Sequence, residues 1–353
     1  MLSQEVRDLK FMRAALAEAR KGLGKTSPNP AVGAVIVKGG RIIARGHHRA
    51  AGLPHAEIEA LRALPDKALA RGATIYATLE PCSTHGRTPP CTEAIIRHGF
   101  ARVVYGATDP NPRHAGRAAK ILSKAGIAAA SDILAAECAA LNAAWNHWIA
   151  TGRPYVIAKC GMSLDGRIAS HPESRWITSA ASRDDAMQLR AEVDAILVGG
   201  QTVRTDDPRL TIRLPGKWKQ PWRVVWTRGG RIPQSAHLLS DAHKDRTLVF
   251  RSQSLGDTLA ALGRLEITSV LIEGGGRTLG EAFDADLVNR AVFYIAPQML
   301  GGSTPATGGI GANSPAEGWR LETPSFRRIG DDIRVDGEIS RNPAARGSLP
   351  IKR

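Results

Sequence analysis

Apolar positions along the chain recur in two patterns, at steps of three and four residues or in short β-branched runs. The first pattern places side chains on one face of a helix, and the second is typical of strands. Leu9, Met12 and Leu16 follow the first pattern and predict an amphipathic helix that ends near Gly22. Further along the first half, the patterns predict strands over 31–37, 41–44, 74–79 and 102–106 and helices over 55–64, 92–98 and 135–150.

The second half contains six more strand-like runs, at residues 155–159, 195–198, 223–226, 247–250, 269–272 and 292–295. Alternating helices and strands predict an α/β fold, in which helices cover the faces of a sheet. The breaker-rich run at 151–154 marks a boundary, and 353 residues suit two domains. We therefore predict domains over residues 1–150 and 151–340. Residues 341–353 are basic and lack periodicity, so we expect a disordered tail.

The net charge of +15 makes nucleic acid the first partner to consider. Residues 1–150 carry 20 basic and 11 acidic side chains, whereas residues 151–340 carry 24 and 22, so the excess lies mainly in the first half. No apolar run approaches the roughly 18 residues of a membrane helix. Early acidic residues argue against a secretory signal, and four cysteines form no dense disulfide framework, so we expect a cytoplasmic protein.

One imidazole and two thiols have the spacing of a zinc site. His55 and Glu57 lie at the start of one predicted helix, and Cys82 and Cys91 precede and begin the next. Three such ligands leave the fourth position of a tetrahedral zinc ion for water, whose pKa the metal lowers from about 15.7 towards 7. Glu57 can then carry a proton from that water to a leaving nitrogen, as in zinc deaminases. The alternative is that His55 caps a helix and the cysteines are buried small hydrophobes.

Eight residues separate the two cysteines, in the run P-C-S-T-H-G-R-T-P-P-C at 81–91, whereas most zinc nucleobase deaminases use P-C-x-x-C. This loop resembles the deaminase half of bifunctional riboflavin-biosynthesis enzymes, in which a pyrimidine deaminase is joined to a pyrimidine reductase. The runs P-N-P-A-V-G at 28–33, P-H-A-E at 54–57 and D-P-N-P at 109–112 match as well. The resemblance implies a cytidine-deaminase-like three-layer fold and a substrate contact from Asn29. The chain departs from many relatives at Thr84, where they carry His.

Four glycine-containing motifs in the second half resemble the reductase half of the same enzymes, which is dihydrofolate-reductase-like and uses NADPH. They are K-C-G-M-S-L-D-G-R at 159–167, S-R-W-I-T at 174–178, G-G-Q-T-V-R-T-D-D-P-R-L-T at 199–211 and E-G-G-G-R-T-L at 273–279. The last motif joins a predicted strand to a helix, where backbone N–H groups and the helix N-terminus favour phosphate. The alternative for it is a plain glycine-rich turn.

The resemblance also implies residue roles in the second domain. NADPH would be held by Gly161, Trp176, Thr202, Asp206, Gly275, Gly276, Arg277, Thr278, Leu279, Gly280 and Glu281. The ribosyl phosphate would be held by Ser174, Arg190, Leu210, Arg213 and Glu273. Lys159 would lie near the reacting carbon, and we expect Lys159 and Glu273 to form a catalytic charged pair, the alternative being a structural ion pair. Arg228 offers a cation for the NADPH 2′-phosphate or is merely exposed.

We therefore expect a two-domain enzyme that hydrolytically deaminates 2,5-diamino-6-(5-phosphoribosylamino)pyrimidin-4-one and then reduces the ribosyl group to ribityl with NADPH. The expected cofactors are one zinc ion per chain and NADPH. The expected partners are small phosphoribosyl pyrimidines and a second copy of the chain, with no nucleic acid or membrane. Two other interpretations stay open: a zinc deaminase acting on nucleic acid, and a non-catalytic binding module stabilised by zinc.

Overall fold

The first half of the chain forms a five-stranded mixed sheet in a computed structural model that describes residues 3–85, 89–168, 176–216 and 218–341. Contacts divide the chain into two units, Met1–Gly152 and Arg153–Arg353, called here unit 1 and unit 2. The elements of unit 1 are α1 (Gln4–Arg20), β1 (Gly33–Lys38), β2 (Arg41–His47), α2 (Ala56–Arg62), a 3₁₀ helix (Lys67–Ala70), β3 (Thr74–Leu79), α3 (Cys91–Arg97), β4 (Arg102–Ala107), α4 (Arg117–Lys124), β5 (Ala128–Ala130), α5 (Ala135–Leu141) and α6 (Ala143–Thr151).

The sheet of unit 1 has the order β2-β1-β3-β4-β5, with β1 antiparallel to both neighbours and β3, β4 and β5 parallel. Helix α1 packs directly on β1 because Gly33 has no Cβ, which would lie 2.1 Å from the Ala15 carbonyl oxygen. Buried Asp8 ties the same helix to the sheet. It accepts two hydrogen bonds from Arg102, at 2.8 and 2.7 Å, and one from the Tyr76 hydroxyl at 2.7 Å.

The predicted helix over 135–150 is wrong as a single helix, because α5 and α6 are interrupted at Asn142. The buried Asn142 side chain accepts a hydrogen bond from the Ala31 N–H at 2.8 Å and donates one to the Ala31 carbonyl at 2.9 Å. An amide side chain that pairs with backbone in this way competes with helical hydrogen bonding. The alanine-rich pattern around it carries no sign of this long-range contact.

Unit 2 is built on an eight-stranded sheet with the order β12-β13-β11-β6-β10-β7-β8-β9. Its elements are β6 (Tyr155–Ser163), α7 (Ala180–Glu192), β7 (Ala195–Gly199), α8 (Gly200–Asp206), β8 (Trp222–Thr227), α9 (His237–Ser240), a 3₁₀ helix (Lys244–Arg246), β9 (Thr247–Arg251), α10 (Leu255–Arg264), β10 (Ser269–Ile272), α11 (Gly276–Asp284), β11 (Arg290–Ala296), β12 (Trp319–Ile329) and β13 (Asp332–Arg341). Strands β6 to β11 pair in parallel, and β13 is antiparallel to β11 and β12. The six predicted strands correspond to β6 to β11.

The hairpin of β12 and β13 was not predicted, because its burial pattern inverts the usual one. Arg334 and Asp336 of β13 are buried, whereas Phe326 and Ile333 are 67% and 49% exposed. The buried arginine binds Asp185 and Asp336, so charge is accommodated inside by pairing. Arg341, placed in the tail by the sequence patterns, is the last residue of β13, and residues 342–353 lie outside the described residues. Within the described ranges, no helix has the length and apolarity needed to span a bilayer.

Candidate functional site

Three potential metal ligands converge in unit 1 from two loop–helix junctions. His55 immediately precedes α2, Cys82 follows β3, and Cys91 begins α3. The His55 Nδ1 atom lies 3.4 Å from both cysteine sulfurs, and the three donor atoms all lie within 4.8 Å of one another. One imidazole and two unbridged thiols in this arrangement fit a zinc ion and leave a coordination position for water.

The protonation of these groups suits a cation site with a proton carrier beside it. Hydrogen bonding from Cys91 and the proximity of His55 lower the pKa of the Cys82 thiol, which favours the thiolate that binds metal. Glu57 lies in the first turn of α2 and is buried. Burial, followed by the nearby Cys82 charge, raises the pKa of Glu57. A carboxyl group with a raised pKa can alternate between accepting and donating a proton near neutral pH.

The predicted substrate residue Asn29 is linked to the metal ligands through His48, which the sequence analysis did not single out. Asn29 Nδ2 lies 3.1 Å from His48 Nε2, and His48 Nδ1 lies 3.0 Å from the Pro54 carbonyl oxygen. The His48 and His55 rings meet edge to face with centroids 5.4 Å apart. Burial lowers the pKa of His48.

The loop before α4 forms another side of this site. Thr84 Oγ1 lies 3.3 Å from His114 Nδ1, so an imidazole from this loop lies beside Thr84. Glu80, also missed by the sequence analysis, holds the loop through hydrogen bonds from the backbone N–H groups of Asp109, Gly116 and Ala118. Only the T-L-E-P-C pattern itself could have drawn attention to Glu80.

In unit 2, the predicted pair of Lys159 and Glu273 is corrected by the structure, because Glu273 pairs with Arg190 instead. Arg190 Nε and Nη2 each donate to one Glu273 oxygen at 2.7 Å, and Nη1 donates to the Thr211 carbonyl at 3.0 Å. Burial raises the pKa of Glu273, but the charge and hydrogen bonds of Arg190 outweigh it and bring the pKa to about 2. Lys159 acts on Glu273 through charge only, and its ammonium lies 5.7 Å from the Tyr294 ring centroid.

The other predicted substrate residues surround this ion pair only in part. Arg213 is close enough to Arg190 and Glu273 for their charges to affect it, and burial followed by the Arg190 charge lowers the pKa of Arg213. Leu210 is buried with a φ of +49° next to the Thr211 carbonyl. Ser174 lies outside the described residues.

The predicted cofactor residues cluster around the start of α11, but several also have packing roles. A Cβ on Gly275 would lie 4.0 Å from Thr202 Oγ1, so these two positions are neighbours. A Cβ on Gly276 would lie 2.2 Å from the Pro305 carbonyl oxygen, and one on Gly280 would lie 2.1 Å from that of Gly308. These two glycines therefore admit the 305–309 backbone against α11.

The remaining cofactor candidates differ in exposure. Leu279 belongs to the hydrophobic core, and Thr278 is buried against Gly199 and Gly274. A Cβ on Gly161 would lie 3.2 Å from the Thr178 methyl carbon. Trp176 is 64% exposed and stacks on Arg183, while Arg277 and Asp206 are exposed. Glu281 pairs with Arg228, which gives that arginine a partner within the chain.

These features define a unit with a zinc-type His/Cys/Cys site of the kind found in deaminases, followed along the chain by an α/β unit with a glycine-rich strand–helix junction. The zinc-binding region of cytidine and deoxycytidylate deaminases matches residues 5–107, and the RibD C-terminal domain matches residues 154–335. A riboflavin biosynthesis protein RibD of Actinobacillus pleuropneumoniae is 41% identical over 93% of this chain and 94% of the relative. That of Escherichia coli is 37% identical over 93% and 98%.

Solved structures agree with the sequence relatives. Acinetobacter baumannii RibD superimposes with a TM-score of 0.89 at 36% identity, covering 96% of this chain and all of that one. A Thermotoga maritima protein named as a diaminohydroxyphosphoribosylaminopyrimidine deaminase/5-amino-6-(5-phosphoribosylamino)uracil reductase gives 0.87 at 32% identity, with the same coverage. The chain belongs to the RibD family of riboflavin biosynthesis proteins.

Membership confirms the predicted fold class and the bifunctional activity. The protein is a deaminase and reductase of riboflavin biosynthesis, with a zinc-binding deaminase domain and a reductase domain that uses NADPH. Its substrates are small molecules, and no comparison favours the nucleic-acid alternative. The residue roles and the domain limits stay predictions.

Proposed function

We propose that unit 1 removes the exocyclic amine of 2,5-diamino-6-(5-phosphoribosylamino)pyrimidin-4-one by hydrolysis. We propose further that unit 2 reduces the ribosyl group of the deaminated product, which yields 5-amino-6-(5-phosphoribitylamino)uracil. The observation that carries the proposal is the convergence of His55, Cys82 and Cys91 with a buried Glu57 two residues from the histidine. The activities named for the Thermotoga maritima neighbour supply the two substrates.

In unit 1, His55, Cys82 and Cys91 would hold the zinc ion. Zinc, when bound, lowers the pKa of a coordinated water so that it can attack the carbon bearing the amine. Glu57 takes a proton from the attacking water and delivers it to the amine nitrogen, whose bond to the ring carbon then breaks. Water is consumed and ammonia is released. Burial raises the pKa of Glu57, which favours the protonated form that donates to the amine nitrogen.

Replacing Glu57 with glutamine is expected to remove the proton carrier and leave the ligands in place. Ammonia release should fall by roughly 10²- to 10⁴-fold, the usual contribution of general acid/base catalysis. Metal analysis should still find zinc, and NADPH oxidation on the deaminated intermediate should be unchanged. The matched control is Glu59→Gln, since Glu59 is also buried on α2 but pairs with Arg49 and Arg62. Normal ammonia release by Glu57→Gln would contradict the mechanism.

In unit 2, the substrate ribose must open before reduction. Opening transfers a proton from the exocyclic nitrogen to the ring oxygen and leaves a carbon–nitrogen double bond at C1. NADPH, when bound, supplies the hydride for C1, and a proton must reach the nitrogen. Glu273 cannot donate that proton, because Arg190 holds its pKa at about 2. Lys159 is therefore the proposed proton donor, while Arg190 and Arg213 with Glu273, Leu210 and Ser174 bind the ribosyl phosphate.

We propose that the predicted cofactor residues hold NADPH along the start of α11. This set contains Gly161, Trp176, Thr202, Asp206 and residues 275–281, of which 276–281 are the first residues of α11. The adjacency of Gly275 and Thr202 supports a shared phosphate contact, since Gly275 caps the helix N-terminus, where phosphate is favoured.

Replacing Lys159 with methionine is expected to lower NADPH oxidation by roughly 10²- to 10⁴-fold. The deaminase activity of unit 1 serves as an internal control and should not change. Lys159→Arg keeps the positive charge but removes the proton donor, because a guanidinium stays protonated at all working pH values. Activity in Lys159→Arg close to that of the natural enzyme would assign Lys159 a charge role and refute proton donation.

We also propose that the chain acts in the cytoplasm as a homo-oligomer, without nucleic-acid or membrane partners. The thiols of the metal site suit a reducing compartment. Strand β12 lies at the edge of its sheet with an exposed Phe326, a feature that favours association with a second copy. Analytical ultracentrifugation measures whether the chain forms a homo-oligomer. A salt-dependent RNA-binding assay tests the proposal that nucleic acid is not a partner.

A further inference from the structure

The side chain of His48 is buried, with 2% of its surface exposed, and each of its ring nitrogens has one partner. Nδ1 lies 3.0 Å from the Pro54 carbonyl oxygen, one residue before the ligand His55. Nε2 lies 3.1 Å from Asn29 Nδ2. The imidazole therefore connects the residue proposed to contact substrate with the backbone beside the metal ligands.

The chemistry of these partners determines which way the Asn29 amide faces. A carbonyl oxygen only accepts, so Nδ1 of His48 is the nitrogen that donates. In the neutral ring, Nε2 is then an acceptor, and only the NH₂ end of Asn29 can bind it. Asn29 Oδ1 consequently lies at the other end of the amide, where it has no partner among the described residues.

The backbone around Asn29 is held by other contacts. Asn142 binds both the N–H and the carbonyl of Ala31. The Asn29 N–H donates to the Thr26 carbonyl at 2.9 Å, and the backbone N–H of His48 donates to the Val32 carbonyl at 2.9 Å. The main chain of this segment is therefore already fixed, and the His48 side chain additionally fixes the orientation of the Asn29 amide group.

We infer that His48 is a positioning residue of the deaminase site, which acts by holding Asn29 with its oxygen available to an N–H group of the pyrimidine. This inference rests on the proposed role of Asn29 in substrate contact. It assigns Asn29 a hydrogen-bond acceptor role, which matches the amine and ring N–H groups of a diaminopyrimidine. A freely rotating or reversed amide would present NH₂ groups to those same donors and would repel them.

Two substitutions of His48 separate its two hydrogen bonds. Glutamine extends its terminal amide to about the position of Nε2, so His48→Gln retains an acceptor for Asn29. Asparagine reaches only to about the position of Nδ1, so His48→Asn retains the donor for Pro54 and loses the acceptor. The full-length enzyme is measured as His48→Gln, His48→Asn, Asn29→Ala and the double variant Asn29→Ala/His48→Asn, each for deaminase kcat/KM, zinc content and reductase activity.

We expect His48→Asn to lower deaminase kcat/KM roughly tenfold, the size of one buried hydrogen bond, mainly through KM. His48→Gln should recover most of that loss. The double variant should be no worse than Asn29→Ala, since His48 has nothing to position once the amide is gone. Zinc content and reductase activity should stay those of the natural enzyme throughout. His47→Gln is the control, because His47 lies near Glu18 instead.

Each other result has a definite meaning. If His48→Asn costs the same factor with and without Asn29, or if His48→Gln is no better than His48→Asn, His48 does not act by orienting Asn29 and the inference is overturned. If Asn29→Ala deaminates normally, the proposed substrate contact itself fails, and that failure is visible before any His48 variant is compared. Loss of zinc in His48→Asn would likewise replace positioning of Asn29 with support of His55.

Discussion

Replacing Arg190 with methionine isolates the contribution of the buried ion pair in unit 2. Both side chains are 10% exposed, and both hydrogen bonds of the pair measure 2.7 Å. Arg190 brings the pKa of Glu273 from an ordinary 4.5 to about 2, against the effect of burial. A shift of that size corresponds to about 3 kcal/mol of folding stability at neutral pH, which agrees with the 3–5 kcal/mol typical of breaking a buried pair.

The stability lost in Arg190→Met depends on pH in a direction that follows from the pKa of Glu273. Since the pKa of Glu273 is depressed in the folded protein, the stabilisation is complete above pH 4.5 and is lost as the pH falls through about 2. Without Arg190, burial is the largest remaining influence on the Glu273 carboxyl group and is expected to raise its pKa, against the smaller effects of the Lys159 and Arg213 charges. The variant therefore regains stability as acid protonates the carboxyl group. The difference between the two proteins should be about 3 kcal/mol at pH 7 and should narrow towards pH 4.

Hydrogen exchange in increasing urea, followed in peptides from β7 and β10, measures the stability of unit 2 by itself. Arg264→Met is the control, because Arg264 is exposed at the end of α10 and its loss should change stability by less than about 0.5 kcal/mol. A loss below about 1 kcal/mol in Arg190→Met, or a loss that stays the same from pH 7 to pH 4, would refute the reasoning.

Two further substitutions test packing contacts around the proposed sites. Asn142→Ala leaves the buried N–H and carbonyl of Ala31 without hydrogen-bond partners, so the free energy of unfolding of unit 1 should fall by about 2–4 kcal/mol. Deamination should fall while reduction is unchanged. Urea unfolding and separate assays of the two activities measure these effects. Gly280→Ala brings a Cβ to 2.1 Å from the Gly308 carbonyl oxygen, so the free energy of unfolding of unit 2 should fall by about 1–3 kcal/mol and the KM for NADPH should rise. Calorimetry measures the stability and steady-state kinetics measure the KM. An unchanged melting temperature would contradict the packing role.

The three potential metal ligands could be identified from sequence because each one lies at or near the end of a short element with a recognisable pattern. Breaker residues and apolar runs locate α2, β3 and α3, and His55, Cys82 and Cys91 fall at their ends. The local sequence pattern is sufficient to identify these three residues, because the ability to bind a metal depends on the type of residue and on its position at the end of an element.

The contacts that orient the site were not predictable, because they join residues far apart in sequence. Asn142 and Ala31 are 111 positions apart, and Asn29 and His48 are 19 apart. Neither polar residue interrupts a hydrophobic pattern in a way that reveals its partner. The same limit explains the wrong pairing of Lys159 with Glu273, since the sequence does not show that Arg190 of α7 reaches Glu273 first.

The distribution of arginine explains why net charge was a poor guide to the partner. Among the described residues, the buried arginines are Arg190, Arg223, Arg334 and Arg341, and all belong to unit 2. Each is paired with a carboxylate of the same unit. Burying a guanidinium requires such a partner, so each of these four buried arginines is matched by an acidic residue and the pair adds no net charge. Among the described residues of unit 1, no arginine or lysine is buried. The net charge of the sequence therefore does not distinguish arginines that form internal ion pairs from arginines that face solvent.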